Sequence, residues 1–418
     1  MNYISSNEKY LESALNRFIK YVKTYSESSS ENAEKGIFPS TQCQFEFANK
    51  LYDEFKKLGI DDVQVTKDCY VYAHISCTKG MEHIKPVCFL AHLDTVDEVS
   101  GLNVNPKVFR DYSGGEIDVS DEIKLSSVTD EYLQQASLNK ETIITSDGST
   151  LLGSDDKAGV CAIMTAVQFL QENKDYCHGT IEIVFSPDEE TGHGMDKVPL
   201  ELIKSKIAYT VDGGDVGELE WECFNAYSAK VIFTGKACHT GDARKNKMVN
   251  AVLVASQFLS SLPNTMLPET TDEYQGFIAP LEVSGGIEKT TVSLILRSFS
   301  IDEMDEEKRI VEKLAKSAAL SFNGKSEVLF CKQYLNMKDV IMQNPEVIEK
   351  LEKAFESANV VIKNKPIRGG TDGSRLTEMG IPCPNIFTGA HNFHSRSEWC
   401  SLNQIAKASD IILNLIAK

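Results

Sequence analysis

Three short apolar runs in this chain each end in histidine or acid, and this pattern narrows the possible folds more than any other feature. Val87–Ala91 leads into His92-Leu93-Asp94, Thr180–Phe185 into Ser186-Pro187-Asp188-Glu189-Glu190, and Ile207–Val211 into Asp212-Gly213-Gly214. A continuous apolar run of about 4–8 residues reads as a strand buried on both faces. Between the first and second runs lies a helical stretch, Ala158–Glu172. Strands alternating with helices predict an α/β fold whose polar residues collect beyond the carboxyl ends of one sheet.

The flanking segments extend that reading. Leu11, Leu15, Phe18, Ile19 and Val22 recur at helical spacing, as do Phe45, Ala48, Leu51, Phe55 and Leu58 before Gly59. Between these helices, Ser26–Lys35 is rich in Ser and Glu and reads as an exposed loop. After about Glu222 the character changes. Ala229–Thr234 and Val292–Phe299 are strand-like, while Val249–Leu262 and Glu303–Leu320 are helical, giving a β-α-β-α insertion. Near Leu335 the first pattern returns, with a helix at Pro345–Ala358, a glycine-rich loop at Gly369–Gly373, an apolar Pro384–Phe387 and a last helix at Asn403–Ile416. The expectation is a discontinuous domain, 1–222 and 335–418, interrupted by a smaller α+β domain at 223–334.

Composition removes several classes of function. The 418 residues carry 43 Lys plus Arg against 61 Asp plus Glu, a formal net charge of −18, which repels a phosphate backbone and argues against nucleic-acid binding. The longest apolar stretch, Val160–Leu170, is too short for the ~20 residues of a membrane span and reads as a buried helix. Met1–Tyr10 has no basic region followed by an apolar one. Eleven cysteines without a C-x-x-C pair suit reduced thiols, with Cys88, Cys161 and Cys383 as small core hydrophobes, so the chain reads as cytoplasmic and not membrane-bound.

Single-motif chemistry is absent: there is no H-E-x-x-H, G-x-S-x-G, P-loop or strand-linked G-x-G-x-x-G. What remains is dispersed: His92 and Asp94, Asp155 and Asp156, Glu189 and Glu190, Asp212, and His391 and His394. Each piece alone has a plainer explanation. His92-x-Asp94 could be a strand end facing solvent, the 188–190 acids a solvated turn, and Asp155 and Asp156 the favourable acids of a helix N-terminus. Together, two histidines and three carboxylates, one of them bridging, suffice for two divalent ions about 3.5–4 Å apart. Such a core is close to neutral, which lowers the cost of burying it.

At this point a family resemblance emerges. His92-Leu93-Asp94-Thr95, Leu151 to Gly159 (LLGSDDKAG), Pro187-Asp188-Glu189-Glu190 and Val211-Asp212-Gly213-Gly214 resemble the peptidase T family of tripeptide aminopeptidases, which are dinuclear zinc metallopeptidases. The similarity continues through Arg368 to Gly373 (RGGTDG) and Pro382-Cys383-Pro384-Asn385 to His394, in family order. It implies a zinc-peptidase-like catalytic domain, a mixed sheet flanked by helices, with the insertion serving as lid and possible homodimer surface.

The resemblance also implies roles. His92, Asp155, Glu190, Asp212 and His394 match the metal ligands, with Asp155 bridging; the sequence does not apportion the others between two Zn2+, or Co2+ or Mn2+, ions. Asp156 falls outside this set. Glu189 matches the general base and Asp94 a catalytic carboxylate that orients His92. His239 resembles a lid histidine that stabilises the oxyanion, although the family more often has Pro where this chain has Thr240. Asn250, Arg297 and Arg368 match substrate-contacting positions, though either arginine could equally be a structural partner. The expected activity is removal of the N-terminal residue from tripeptides. A dipeptidase, amino-acid deacylase or carboxypeptidase on the same centre, or a silent peptide-binding protein, remain as alternatives.

Overall fold

The computed structural model describes residues 3–418, which divide into two compact units. The first comprises the described residues up to Trp221 together with Asp339–Lys365 and Thr371–Lys418; the second is Glu222–Lys338 with Pro366–Gly370.

An eight-stranded mixed sheet forms the centre of the first unit. Its spatial order is Val63–Val65, Val71–Ile75, Ile181–Ser186, Val87–His92, Ala208–Gly213, Asn385–Phe387, Glu218–Glu220 and Lys363–Asn364. The four strands Ile181–Ser186, Val87–His92, Ala208–Gly213 and Asn385–Phe387 are mutually parallel. Their carboxyl ends therefore emerge at one side of the sheet, which is where a ligand crevice forms in such folds. The strands Val87–His92 and Ile181–Ser186 are buried at every position, as their unbroken apolar runs require.

Helices cover this sheet. Ser154–Glu172 packs against Glu8–Val22, Leu402–Ile416 and the strands Val87–His92 and Ala208–Gly213, and Val160–Leu170 lies in its interior. Glu8–Val22 and Cys43–Lys57 are the two amphipathic helices read from the sequence, with Phe18, Phe47, Leu51 and Phe55 wholly buried. Cys88, Cys161 and Cys383 are buried as well, and all eleven cysteines are free thiols. Among the described residues no helix is long and apolar enough to cross a membrane.

Two expectations need correction. Ser26–Lys35 is not a plain exposed loop, because it contains the short helix Ser30–Glu34 and buries Ser26, Ser28 and Ala33. Ser26 Oγ donates to the Leu93 carbonyl at 2.7 Å and Ser28 N to the Thr95 carbonyl at 2.9 Å, so the segment buttresses the strand end that carries His92. Hydroxyls committed to main-chain partners look like solvated serines in a sequence.

The second correction concerns the insertion, which is β-α-β-β-α-β. Its antiparallel sheet runs Phe277–Gly285, Lys289–Ser298, Asn225–Thr234, Lys325–Tyr334, with the helices Ala251–Ser260 and Ile301–Ser321 packed on it. The two strands that periodicity missed are the sheet edges. Phe277–Gly285 is exposed from Pro280 onward, and Lys325–Tyr334 has no buried residue, so neither shows the apolar alternation of a central strand. The central strands do, with Ala229, Val231 and Phe233 facing Val254, Phe258, Val311 and Ala315, each larger side chain contributing roughly 1.5–3 kcal/mol by burial.

Candidate metal centre

The residues beyond the parallel strand ends converge. His92 is the last residue of its strand, and its Nδ1 donates to the Asp94 main-chain carbonyl at 3.1 Å. That leaves Nε2 directed at Asp155 Oδ1, 2.9 Å away, and at Asp212 Oδ1, 3.5 Å away. A histidine fixed through one nitrogen by a carbonyl, with the other facing carboxylates, is arranged as metal-ligating imidazoles are. The other oxygen of Asp155, Oδ2, lies 3.4 Å from His394 Nε2, which is also 3.0 Å from Glu190 Oε2. Two three-residue groups result, His92-Asp155-Asp212 and Asp155-Glu190-His394, each with donor atoms within 4.8 Å of one another. Asp155 is the member they share, and it presents a different oxygen to each histidine.

Of the acids that follow Phe185, some hold the backbone and others are left for chemistry. Asp188 adopts φ +57° and accepts hydrogen bonds from Ser40 N, Ser40 Oγ and Gln44 Nε2. The two carboxylate oxygens of Asp94 accept from the backbone amides of Glu189 and Glu190 at 3.0 and 3.1 Å. Both carboxylates are thereby committed to shaping the turn, which presents Glu189 and Glu190. Asp94 thus orients His92 through its carbonyl, with its carboxylate 3.4 Å from Nδ1. Asp156 accepts from His92 N and Gly159 N and belongs to neither ligand group.

The electrostatics are those of a site with too many buried acids. Burial pushes the Glu190 carboxyl up to about 8, reinforced by Asp155 and opposed by His394. Asp212 is raised to about 6 by burial, against the pull of His92. Glu189 is pushed well above the usual carboxylate range, again by burial first. Asp155 goes the other way: despite burial, His394 and His92 hold it below the ordinary value, so it is the ionised carboxylate between two imidazoles. His394 is raised to about 11 by Asp155 and Glu190. Glu190 Oε1 is buried with no hydrogen-bond partner. A divalent cation would satisfy that oxygen and discharge the acids, so the donor set fits one.

Four sequence candidates belong to the second unit and are engaged there. His239 is exposed, and its Nδ1 accepts from Gly241 N at 3.1 Å as the one-turn helix Thr240–Asp242 begins. Asn250 caps the helix Ala251–Ser260, accepting from Val252 N. Arg297 donates to the carbonyls of Leu296 and Tyr227 and lies over the Tyr334 ring. Arg368 donates to the carbonyls of Glu273 and Gln275, at 2.7 and 3.0 Å, and lies over the rings of Phe224 and Phe277.

His391, although close in sequence to His394, joins neither ligand group and instead stacks on Trp399 at 3.9 Å. Sequence reasoning missed three residues that shape the site. Asn385 Oδ1 accepts from Asp212 N, Asp372 accepts from Ser186 Oγ and is raised to about 7 by burial, and Glu398 binds the backbone leading to Asp155. Asp372 and Asn385 lie within motifs that carry the family resemblance, but what each of the three binds has no local signal, since every partner lies more than a hundred residues away.

Residues 151–418 match the profile of peptidase family M20/M25/M40. The chain belongs to that family and is a hydrolase. Within it, the chain is similar to peptidase T from Clostridium perfringens strain 13, at 41% identity across 96% of this chain and 97% of the relative. Peptidase T from Halothermothrix orenii is likewise 41% identical, over 96% and 98%. The fold is shared with the solved aminopeptidase PepT of Bacillus cereus (TM-score 0.74, 23% identity, 97% of this chain and 98% of that one). It is also shared with Bacillus subtilis YXEP, described as a dinuclear metal-binding peptidase (TM-score 0.65, 14% identity, 98% of each chain).

Proposed function

We propose that this chain is a two-metal aminopeptidase that removes the N-terminal residue from tripeptides, with Glu189 as general base. The observation that carries the reading is the pair of ligand groups sharing Asp155, with the unpartnered Glu190 Oε1 buried beside them. Whole-length similarity to peptidase T enzymes supports the substrate class.

His92, Asp155 and Asp212 would hold one ion, and Asp155, Glu190 and His394 the other. Imidazole with carboxylate suits Zn2+, and Co2+ or Mn2+ accept the same donors. Divalent ions bound there supply Lewis acidity, which acidifies water and polarises the scissile carbonyl. Asp94 accepts from the backbone amide of Glu189 and so anchors the backbone from which that carboxylate extends. Glu189 is not a member of either ligand group, which leaves its carboxylate oxygens to take the proton of the attacking water and pass it to the leaving amine nitrogen.

The second unit is assigned the lid and dimerisation role, with His239 donating to the oxyanion and Asn250, Arg297 and Arg368 contacting the peptide. The exposed Leu281 and Val283 on the edge strand Phe277–Gly285 support a homodimer surface, which sedimentation would test. Eleven free thiols support a cytoplasmic setting.

The test is an assay of metal-replete wild type and Glu189→Gln on a free tripeptide, its N-acetylated form and a dipeptide, with bound metal measured in both. Turnover confined to the free tripeptide, lost in a variant that keeps its metal, is the expected result. Preference for the acetylated peptide or the dipeptide would overturn the substrate assignment, and full activity in the variant would overturn the base.

A further inference from the structure

Glu398 is a carboxylate only 1% exposed, yet no lysine, arginine or histidine forms an ion pair with it among the described residues. Its partners are four successive backbone amides and one hydroxyl. Oε2 accepts from Leu152 N and Gly153 N, both at 2.8 Å; Oε1 accepts from Ser154 N at 2.8 Å, Ser154 Oγ at 2.5 Å and Asp155 N at 3.3 Å. Successive N–H groups curved around an anion form a concave binding site, and a left-handed residue supplies the curvature. Gly153 does so at φ +77°, where a Cβ would also approach Leu151 and Thr95 to 3.3 Å.

Glu398 also closes the loop that bears His394. His391 pairs with Trp399 across an antiparallel ladder, and Glu398 N donates to the Ser395 carbonyl within the intervening turn. One residue therefore ties together the two irregular segments that carry Asp155 and His394. The remaining ligands have other supports: His92 and Asp212 sit at the ends of sheet strands, and Glu190 N is held by Asp94.

We propose that Glu398 is a positioning residue for the metal centre, clamping the Asp155 and His394 segments to each other so that the Asp155-Glu190-His394 group depends on it more than the His92-Asp155-Asp212 group does. Two of the three ligands in the first group lie on segments that Glu398 cross-links, against one of three in the second. The proposal rests on the two-metal reading above.

A buried carboxylate at a helix start could instead serve stability alone, and Glu182 is the matched control. It too is buried, accepting from Lys204 N, Ser205 N and Ser205 Oγ, but it lies near the opposite end of the strand that Ser186 terminates. The experiment is a calorimetric Zn2+ titration of the metal-free full chain, in wild type, Glu398→Gln, Glu398→Asp and Glu182→Gln, with thermal melting of each. In Glu398→Gln the amide nitrogen meets donors where an acceptor is needed. Loss of a supporting partner of this kind typically costs about 10–100-fold in metal affinity, and we expect that loss at one of the two sites. Glu398→Asp, which keeps the charge, is expected to give a smaller loss at the same site, and it preserves the test should the glutamine variant fail to fold. Glu182→Gln should melt earlier with both affinities unchanged. Wild-type affinity at both sites in the folded Glu398 variants, or equal losses at both, would overturn the proposal alone. A wild-type chain that binds no Zn2+ would overturn the two-metal reading, and the proposal with it.

Discussion

The strand-end centre of the first unit and the candidate residues of the second are built on opposite terms. In the first, structural acids such as Asp94 and Asp188 hold the backbone, which leaves Glu189, Glu190, Asp155 and Asp212 as an excess of buried carboxylate. In the second, three of the candidate side chains are satisfied within the unit: Arg368 and Arg297 by main-chain carbonyls, Asn250 by a helix cap. A preorganised charge excess is what a metal site requires, and it costs stability until it is filled. Locally satisfied side chains cost nothing at rest, and a substrate must compete for them.

Asp155→Ala tests that contrast most severely. Removing the shared ligand should release both ions and lower kcat/KM by about a thousand-fold or more, because Lewis-acid stabilisation is worth several kcal/mol and each ~1.4 kcal/mol is tenfold. Elemental analysis beside steady-state kinetics reads this, and retention of both ions would break the comparison. Glu189→Gln should lower kcat by about 10²–10⁴-fold with both ions kept, the size of a lost general base. A variant that loses its metal would place Glu189 among the ligands instead.

Arg368→Ala sharpens the other side. Freeing the carbonyls of Glu273 and Gln275 should destabilise the chain by about 1–3 kcal/mol, and the loss of a substrate contact should raise KM about tenfold with kcat little changed. A raised KM at unchanged melting temperature would mean that the carbonyl contacts contribute nothing.

The smallest expected effect concerns Glu307, 2% exposed in the second unit, whose Oε2 has no partner. Burial raises it from 4.5 to about 8, reinforced by Glu303 and opposed by Arg297 and Lys308. The folded state therefore holds a proton that the unfolded chain releases. Its contribution to stability is complete below pH about 4.5 and is lost as pH rises through about 8. Glu307→Gln should flatten that part of the stability profile and raise the melting temperature by a few degrees above pH 8, and denaturation at several pH values would reveal an unchanged profile as contrary.

How much of this was legible in the sequence follows the range of the interactions involved. The buried strands were readable because Val87–Ala91 and Thr180–Phe185 carry their burial in consecutive residues. The five ligand candidates were readable as a joint pattern at strand ends and loops, and by resemblance. Edge strands were not, since Phe277–Gly285 and Lys325–Tyr334 leave most of their residues exposed. Glu398 was invisible for a different reason. Its partner Leu152 is 246 residues away and uses only its backbone amide, which no side-chain pattern reports. Ser26 and Ser28 escaped notice in the same way, by bonding to main-chain carbonyls of the strand end.

The most direct measurement is anomalous diffraction from crystals of the zinc-loaded enzyme. Two zinc peaks are predicted, one touching His92 and Asp212, the other Glu190 and His394, with the two carboxylate oxygens of Asp155 divided between them. A single peak, or zinc bound away from Asp155, would contradict the two-metal centre.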